Sequence, residues 1–280
     1  MNLPHRGGDT INPLMRQLSC GCRRLLPLPL NRVLRTGLTA VRRAGARFIP
    51  LDHAFIAHKF LHGQGIEIGA LHNPLRLPTG ATVQYVDRMS VAQLRQHYPE
   101  LTAFELVEAD ILDDGERLDC VPDMSQDFVI ANHFLEHCEN PLLALHNLLR
   151  VLKVEGVLYL TVPDKRYTFD RSRPVTPLEH LIRDFEQGPA WSRHSHFTEF
   201  TAALKEAAVS DPDLSRWNVP DVEQHARRIE EINYSIHYHV WTQREFLQLL
   251  VALPDLIGAA FELELFYRRG LECIAVLRKC

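Results

Sequence analysis

The chain has no apolar run approaching the eighteen or so residues a membrane span requires. Leu25–Leu30 is short and broken by Pro27 and Pro29, and nothing after the first methionine resembles the core of a secretory signal. Cysteine is scarce: six residues in 280, scattered, with Cys20 and Cys22 forming a lone C-x-C that has no partner pair at zinc-finger spacing. That excludes a disulfide framework and predicts inert thiols in a reducing cytoplasm. Lysine is missing from the first fifty residues, which carry nine Arg and one acid, Asp9. Of the formal net charge of −4, this arm therefore contributes +8 and residues 51–280 contribute −12. A basic arm on an acidic body can fold back onto its own domain, which is the favoured expectation, or make weak contact with an anionic membrane surface. Its arginines lack interleaved aromatic residues apart from Phe48, so nucleic acid is not an expected partner.

What is present is enough for a full core. At 280 residues and 46% apolar, the chain suits one large α/β domain with an added segment. Leu51–His62 reads as a helix. Short apolar strands follow at Gly65–Gly69, Val83–Asp87, Phe104–Val107, Asp127–Ala131 and Val157–Val162. Helices are expected at Ser90–His97 and Asn140–Leu152, the latter closed by Gly156. Strands this short and this apolar, separated by helices or loops, call for a parallel sheet covered on both faces. From Arg166 to about Ile236 the pattern dissolves into Pro, Arg, His and acids with short helical pieces, Pro177–Gln187 and Ala202–Ala208. Thr242–Leu253 restores a helix, with Thr242 and Glu245 spaced as a capping box. Phe261–Phe266 and Cys273–Leu277 end the chain as strands joined by an Arg-Gly turn. The expected organisation is a basic arm (1–50), a core (51–165), an insertion or lid (166–238) and a C-terminal completion of the sheet (239–280).

Ligands of such sheets sit at the carboxyl ends of the strands. Those ends carry Glu67, Gly69 and Ala70; Asp87 and Arg88; Asp110 and Ile111; Asn132 and His133; and Pro163-Asp164. An acid closing strand two is placed to accept hydrogen bonds from vicinal ribose hydroxyls, being acceptor-only with two oxygens. The first loop decides what the ribose belongs to. A pyrophosphate needs G-x-G-x-x-G, whereas Gly69-Ala70-Leu71-His72-Asn73-Pro74 has one glycine and a bulky Leu in place of the second. That disfavours NAD. A sulfonium cofactor has no phosphate to cradle and suits an acidic site.

The run from Gly65 to Asp164 resembles the class I S-adenosylmethionine-dependent methyltransferases, and among them the broad group that includes the ubiquinone-type O-methyltransferases. Gly65–Gly69 is similar to their first motif, Asp87 to the ribose-binding acid, and Ala109-Asp110-Ile111 to the adenine-contacting segment. Asp127–His137, ending in Leu-Glu-His, is similar to the motif after strand four, and Leu149–Val157 to the passage that follows it. The resemblance covers about 100 residues. It implies a Rossmann-like, doubly wound, mostly parallel seven-stranded sheet with an antiparallel C-terminal hairpin and an insertion after strand five. It also implies S-adenosyl-L-methionine as cofactor, bound by Glu67, Gly69, Ala70, Asp87, Arg88, Asp110, Ile111, Asn132 and His133. The family's later loop glycines are replaced here by Leu71 and Asn73, which predicts a different loop path.

Two further patterns bear on chemistry. His133-Phe134-Leu135-Glu136-His137 matches H-x-x-E-H, an inverted zinc-peptidase signature. It follows an apolar strand directly instead of lying within a helix, so no metal site is assigned. Metal-assisted transfer through these residues stays the minor reading. For methyl transfer to a hydroxyl a base is needed, and histidine is the usual one. His133 is the first candidate. His237 and His239 come next, alternating with Tyr238 as on a strand, with both rings on one face. The polar insertion favours a small polar or glycan-like acceptor, methylated on oxygen before nitrogen. The competing readings are a non-catalytic adenosyl-binding scaffold of the same fold and an NAD-dependent enzyme.

Overall fold

The structure, a computed structural model, describes residues 51–211, 214 and 219–280; the basic arm lies outside the described residues. Seven strands form one sheet in the order β3-β2-β1-β4-β5-β7-β6. They are β1 (Gln64–Ile68), β2 (Thr82–Asp87), β3 (Ile111–Leu112), β4 (Gln126–Asn132), β5 (Leu152–Pro163), β6 (Phe261–Arg269) and β7 (Glu272–Lys279). The first five pair in parallel, β7 runs antiparallel to β5, and β6 closes the edge as a hairpin with β7.

Period-two alternation explains the layers. In β4 and β5, Phe128, Ile130, Val157 and Tyr159 face one side, where α1 (His53–Phe60) packs with Ile56 and Phe60. Val129, Ala131, Leu158, Leu160 and Val162 face the other, under α3 (Pro141–Arg150) and α7 (Gln243–Ile257). Both faces are therefore dry, as a parallel sheet requires. The remaining core helix, α2 (Val91–His97), starts from Ser90 with a reciprocal capping box to Gln93. α7 likewise starts from Thr242, capped with Glu245, and ends at Gly258 in the left-handed region. Gly65 is needed for close approach: a Cβ there would lie 2.3 Å from the Phe128 carbonyl oxygen on the neighbouring strand.

Three expectations are corrected. Phe104–Val107 is not strand three. The Val107 N–H donates to the Leu71 carbonyl (2.9 Å), and Phe104 stacks on His72 with centroids 4.2 Å apart. The segment props the first loop, and the pairing with Val86 and Asp87 passes to Ile111 and Leu112. The insertion is richer in helix than its polar composition suggests: besides α4 (Leu178–Gln187) it holds α5 (Arg193–Ala207) and α6 (Val222–Glu231). These last two bury Phe197, Phe200, Leu204, Ala226 and Ile229 in a small core of their own with Ile236 and Tyr238. Finally, His237–His239 is not a strand. The Tyr238 N–H donates to the Glu136 carbonyl (2.8 Å), which ties the return of the insertion to the end of β4.

Candidate active site

Two cavities open at the carboxyl end of the sheet, and Gly69, Leu71, His133 and His137 line both. The first, about 300 Å³, has apolar walls from Ile68, Val86, Leu94 and Phe134, with Asp87, Arg88 and Asp114 at its polar margin. The second, about 580 Å³, offers more hydrogen-bonding side chains: His53, Asn73, Arg76, Asn132, Thr161 and Glu272 line it together with Glu67, Ala70, Pro74 and Leu75.

Asp87 ends β2, and its Oδ1 accepts from the Met89 N–H (3.0 Å), leaving Oδ2 for a ligand. Burial pushes its carboxyl above the ordinary aspartate value. Glu67, which lines the second cavity, also holds the first loop. Fully buried, it accepts from the Leu75 N–H with both oxygens (3.0 and 3.1 Å) and so pins the first loop; burial pushes it up to about 7. The loop takes a glycine-like path in spite of its sequence. Leu71, standing where a glycine would, has φ +50°, beside Gly69 at +62°. Only glycine adopts that region freely, and the strain of order 1–2 kcal/mol at Leu71 is held by its packing on Leu94, Tyr98 and Leu101.

His133 is a second non-glycine residue in the left-handed region, at φ +47°. The turn aims its ring between two carboxylates: Nε2 lies 2.8 Å from Glu272 and Nδ1 lies 3.3 Å from Glu136. Both ring nitrogens face acceptors, so the imidazolium is the form that fits. Burial pulls its pKa down, but the contacts with Glu136 and Glu272 outweigh this and hold it at about 10. Glu272, also bonded to His53 (2.6 Å), is held at about 2, the two histidines outweighing its burial. Held in this way by two carboxylates, His133 fits a charged contact better than the general base expected of it.

His137 has the opposite character. Its Nδ1 faces the Ile236 carbonyl (2.9 Å) and the Ser235 hydroxyl (3.0 Å), which makes Nδ1–H the donor and leaves Nε2 a lone pair. Burial, then the neighbouring His237, pulls it down to about 4, so the ring is neutral. Beside it Asp170, buried, receives His237 Nδ1 on one oxygen (2.6 Å) and Arg173 on the other (2.9 Å). The His237 and His137 rings meet edge to face with centroids 4.8 Å apart. Glu136, His137 and His237 together offer donor atoms close enough for a metal ion.

Of the residues read from the sequence, Glu67, Gly69, Ala70, Asp87, Arg88, Asn132 and His133 do line the cavities. Asp110 and Ile111 do not. Strand three begins at Ile111, so Asp110 precedes it, and its carboxylate accepts from the Tyr85 N–H (2.8 Å); Asp114 takes the cavity position. His237 stands behind His137, outside both cavity linings, and His239 is fully buried among His180, Asp184 and His196, so the pair does not share a face. Sequence reasoning missed His53 and Glu272, which sit outside any motif, and undervalued His137, whose Leu-Glu-His context was the available signal.

Residues 63–160 match the model of a family described as a methyltransferase domain. No curated protein gives a significant match. Among solved structures, the chain is similar to an S-adenosylmethionine-dependent methyltransferase of Methanosarcina mazei. The identity is 16% and the TM-score 0.42, covering 82% of this chain and 99% of the other. It is also similar to 1,6-didemethyltoxoflavin-N1-methyltransferase of Burkholderia thailandensis, solved with bound S-adenosylhomocysteine (16%, TM-score 0.43, 91% of each chain). A protein of Rhodobacter sphaeroides described as a zinc-dependent alcohol dehydrogenase overlaps comparably (15%, TM-score 0.45, 81% and 87%).

Proposed function

We propose, from the premise that residues 63–160 are a methyltransferase domain of the class I S-adenosylmethionine-dependent superfamily, that the chain methylates an oxygen of a small, hydroxyl-rich acceptor. The observation that carries this is the pair of cavities, one with Asp87 at its margin and one lined by hydrogen-bonding side chains such as Asn132 and Thr161, joined at Gly69, Leu71, His133 and His137.

The residues fit the cofactor. Ile68, Val86, Leu94 and Phe134 make a slot for a flat base, Asp87 Oδ2 is available to the ribose, and Asp114 lies at the rim. When bound, S-adenosylmethionine supplies a methyl group on a positively charged sulfur, transferred by in-line displacement. At the junction, His133 between Glu136 and Glu272 carries a net charge of −1, complementary to a sulfonium. The second cavity holds the acceptor, with Asn132, Thr161, His53 and Glu272 as hydrogen-bond partners for hydroxyl groups. His137 is the base: its Nε2 lone pair takes the proton of the attacking hydroxyl, and the Ile236 carbonyl fixes the tautomer that makes this lone pair available. His237, oriented by Asp170, packs edge to face against it and fixes the ring's position.

The test is turnover in a panel of polyol, saccharide, phenol and amine acceptors with radiolabelled cofactor. His137→Ala is expected to lose about 10²–10⁴-fold in kcat while S-adenosylhomocysteine affinity holds. Transfer confined to amines, or a His137→Ala enzyme at full rate, would refute the oxygen assignment or the base respectively.

A further inference from the structure

Behind the insertion, away from the two cavities, three histidines and an aspartate converge without any part in the chemistry above. His180 and Asp184 lie one turn apart on α4 and share a face. His196 comes from the first turn of α5, and His239 from the segment that returns to the core. Asp184 and His239 are 0% exposed, His196 5%, and the His180 side chain 17%. His180 Nε2 is 3.0 Å from His196 Nε2 and 3.2 Å from Asp184 Oδ2, and His239 Nε2 is 3.7 Å from the same oxygen. All four donor atoms lie within 4.8 Å of one another.

Protein-only hydrogen bonding does not explain this packing. Asp184 Oδ2 is a buried carboxylate oxygen without a hydrogen-bond partner in acceptable geometry, although three imidazoles crowd it. Two Nε2 atoms facing each other can share one proton at most, His239 Nε2 has only a long contact with the Glu139 carbonyl (3.4 Å), and the carboxylate oxygen stays without a partner. A buried acceptor left in this state costs about 1–3 kcal/mol. The spacing fits another occupant. Ligands of a tetrahedral zinc ion at about 2.0–2.1 Å stand about 3.3 Å apart, within the observed 3.0–3.7 Å. The second sphere is partly built. Ser192 Oγ donates to Asp184 Oδ1 (3.3 Å), and Asn140, the cap of α3, donates to the Asp184 carbonyl (3.0 Å).

We propose that His180, Asp184, His196 and His239 bind a structural zinc ion that locks α4, α5 and the returning segment of the insertion together. Three nitrogens and one oxygen in a closed, buried set select zinc over magnesium or calcium, and the lack of an open position marks a structural site. Because His239 leads through Val240 to Trp241, whose carbonyl accepts from the Lys165 N–H (2.9 Å) and which bridges to Asp164 at the end of β5, the ion would fix the insertion on the core.

The test uses the full chain purified without chelator. Elemental analysis is expected to find about one zinc per chain, and X-ray absorption at the zinc edge to show three imidazoles and one oxygen. Ser192→Ala, which leaves all four ligands in place, is expected to weaken zinc about 10–100-fold, and a chelator to lower the melting temperature. A chain that is metal-free and takes up no added zinc overturns the proposal. So does a bound zinc with two or fewer imidazoles, which would place the ion at Glu136, His137 and His237 instead.

Discussion

Replacing Asp87 with asparagine removes one charge from the first cavity and leaves the shape of the side chain. In the fold, Oδ1 accepts from the Met89 N–H (3.0 Å), a bond that the asparagine oxygen can keep. What changes is the second position, where an acceptor for ribose hydroxyls becomes an amide donor. Each hydrogen bond to a charged group contributes about 1.5–3 kcal/mol, so losing two costs at least about 3 kcal/mol. At 1.36 kcal/mol per decade that is a loss of at least about 100-fold in affinity. Isothermal titration with S-adenosylhomocysteine reads this directly. The stability control has a definite sign. Burial raises the Asp87 carboxyl pKa in the folded chain, so above that pKa the charged form disfavours folding relative to the unfolded state. The variant is expected to melt at the same temperature or higher at neutral pH. Affinity within threefold of the parent would refute the ribose assignment, and a fall in melting temperature would refute the electrostatic reasoning.

Glu272→Gln removes one of the two carboxylates that hold His133 at about 10, so the imidazole pKa, followed by NMR, is expected to fall toward its ordinary value; no change would mean that Glu272 does not govern it. Burial pushes Glu67 up to about 7 in the folded chain, above the ordinary glutamate value of about 4.3, so between these pH values the folded chain binds the extra proton and stability declines as pH rises. Glu67→Gln should flatten that slope in denaturant titrations, by about 3 kcal/mol at most across the window; an unchanged slope counts against it. With His137 held at about 4, activity is present above that pH and lost as pH falls through it, so an acid limb near 6.5 in the rate profile would contradict His137 as base. Gly65→Ala places a Cβ 2.3 Å from the Phe128 carbonyl and is expected to cost about 3 kcal/mol. This should appear as a melting temperature lower by roughly 6–12 °C, and a neutral effect would mean that β1 and β4 can move apart.

Much of the sheet was legible because each of its central strands is a compact apolar run bounded by a turn or an acid, and the capping box at Thr242 announced its helix. Strand three was misplaced because the apolar run Phe104–Val107 packs against the first loop, while the real strand is two residues long and carries too little pattern to be seen. With that strand starting at Ile111, the acid that lines the first cavity is Asp114 and not Asp110. In the insertion, Pro177–Gln187 and Ala202–Ala208 were read as helical and fall on α4 and the end of α5, but the start of α5 and all of α6 were not, because these polar helices are stabilised by packing on each other, which periodicity in a single segment does not reveal. At the site, residues within motifs were found and residues brought by topology were not. Glu272 meets His133 across 139 positions of sequence, and only the hairpin return of β7 beside β5 places it there. His133 was recognised as a site residue, but its two carboxylate partners, Glu136 and Glu272, were invisible as partners. His237 and His239, neighbours in sequence, go to different clusters because the segment carrying them is irregular and turns between them.

The most direct measurement is a crystal structure of the chain grown with S-adenosylhomocysteine. The account predicts adenine in the apolar cavity against Ile68 and Phe134, ribose on Asp87, and sulfur at the junction of Gly69, Leu71, His133 and His137. An empty apolar cavity at saturating ligand, or a ribose that does not touch Asp87, would contradict it.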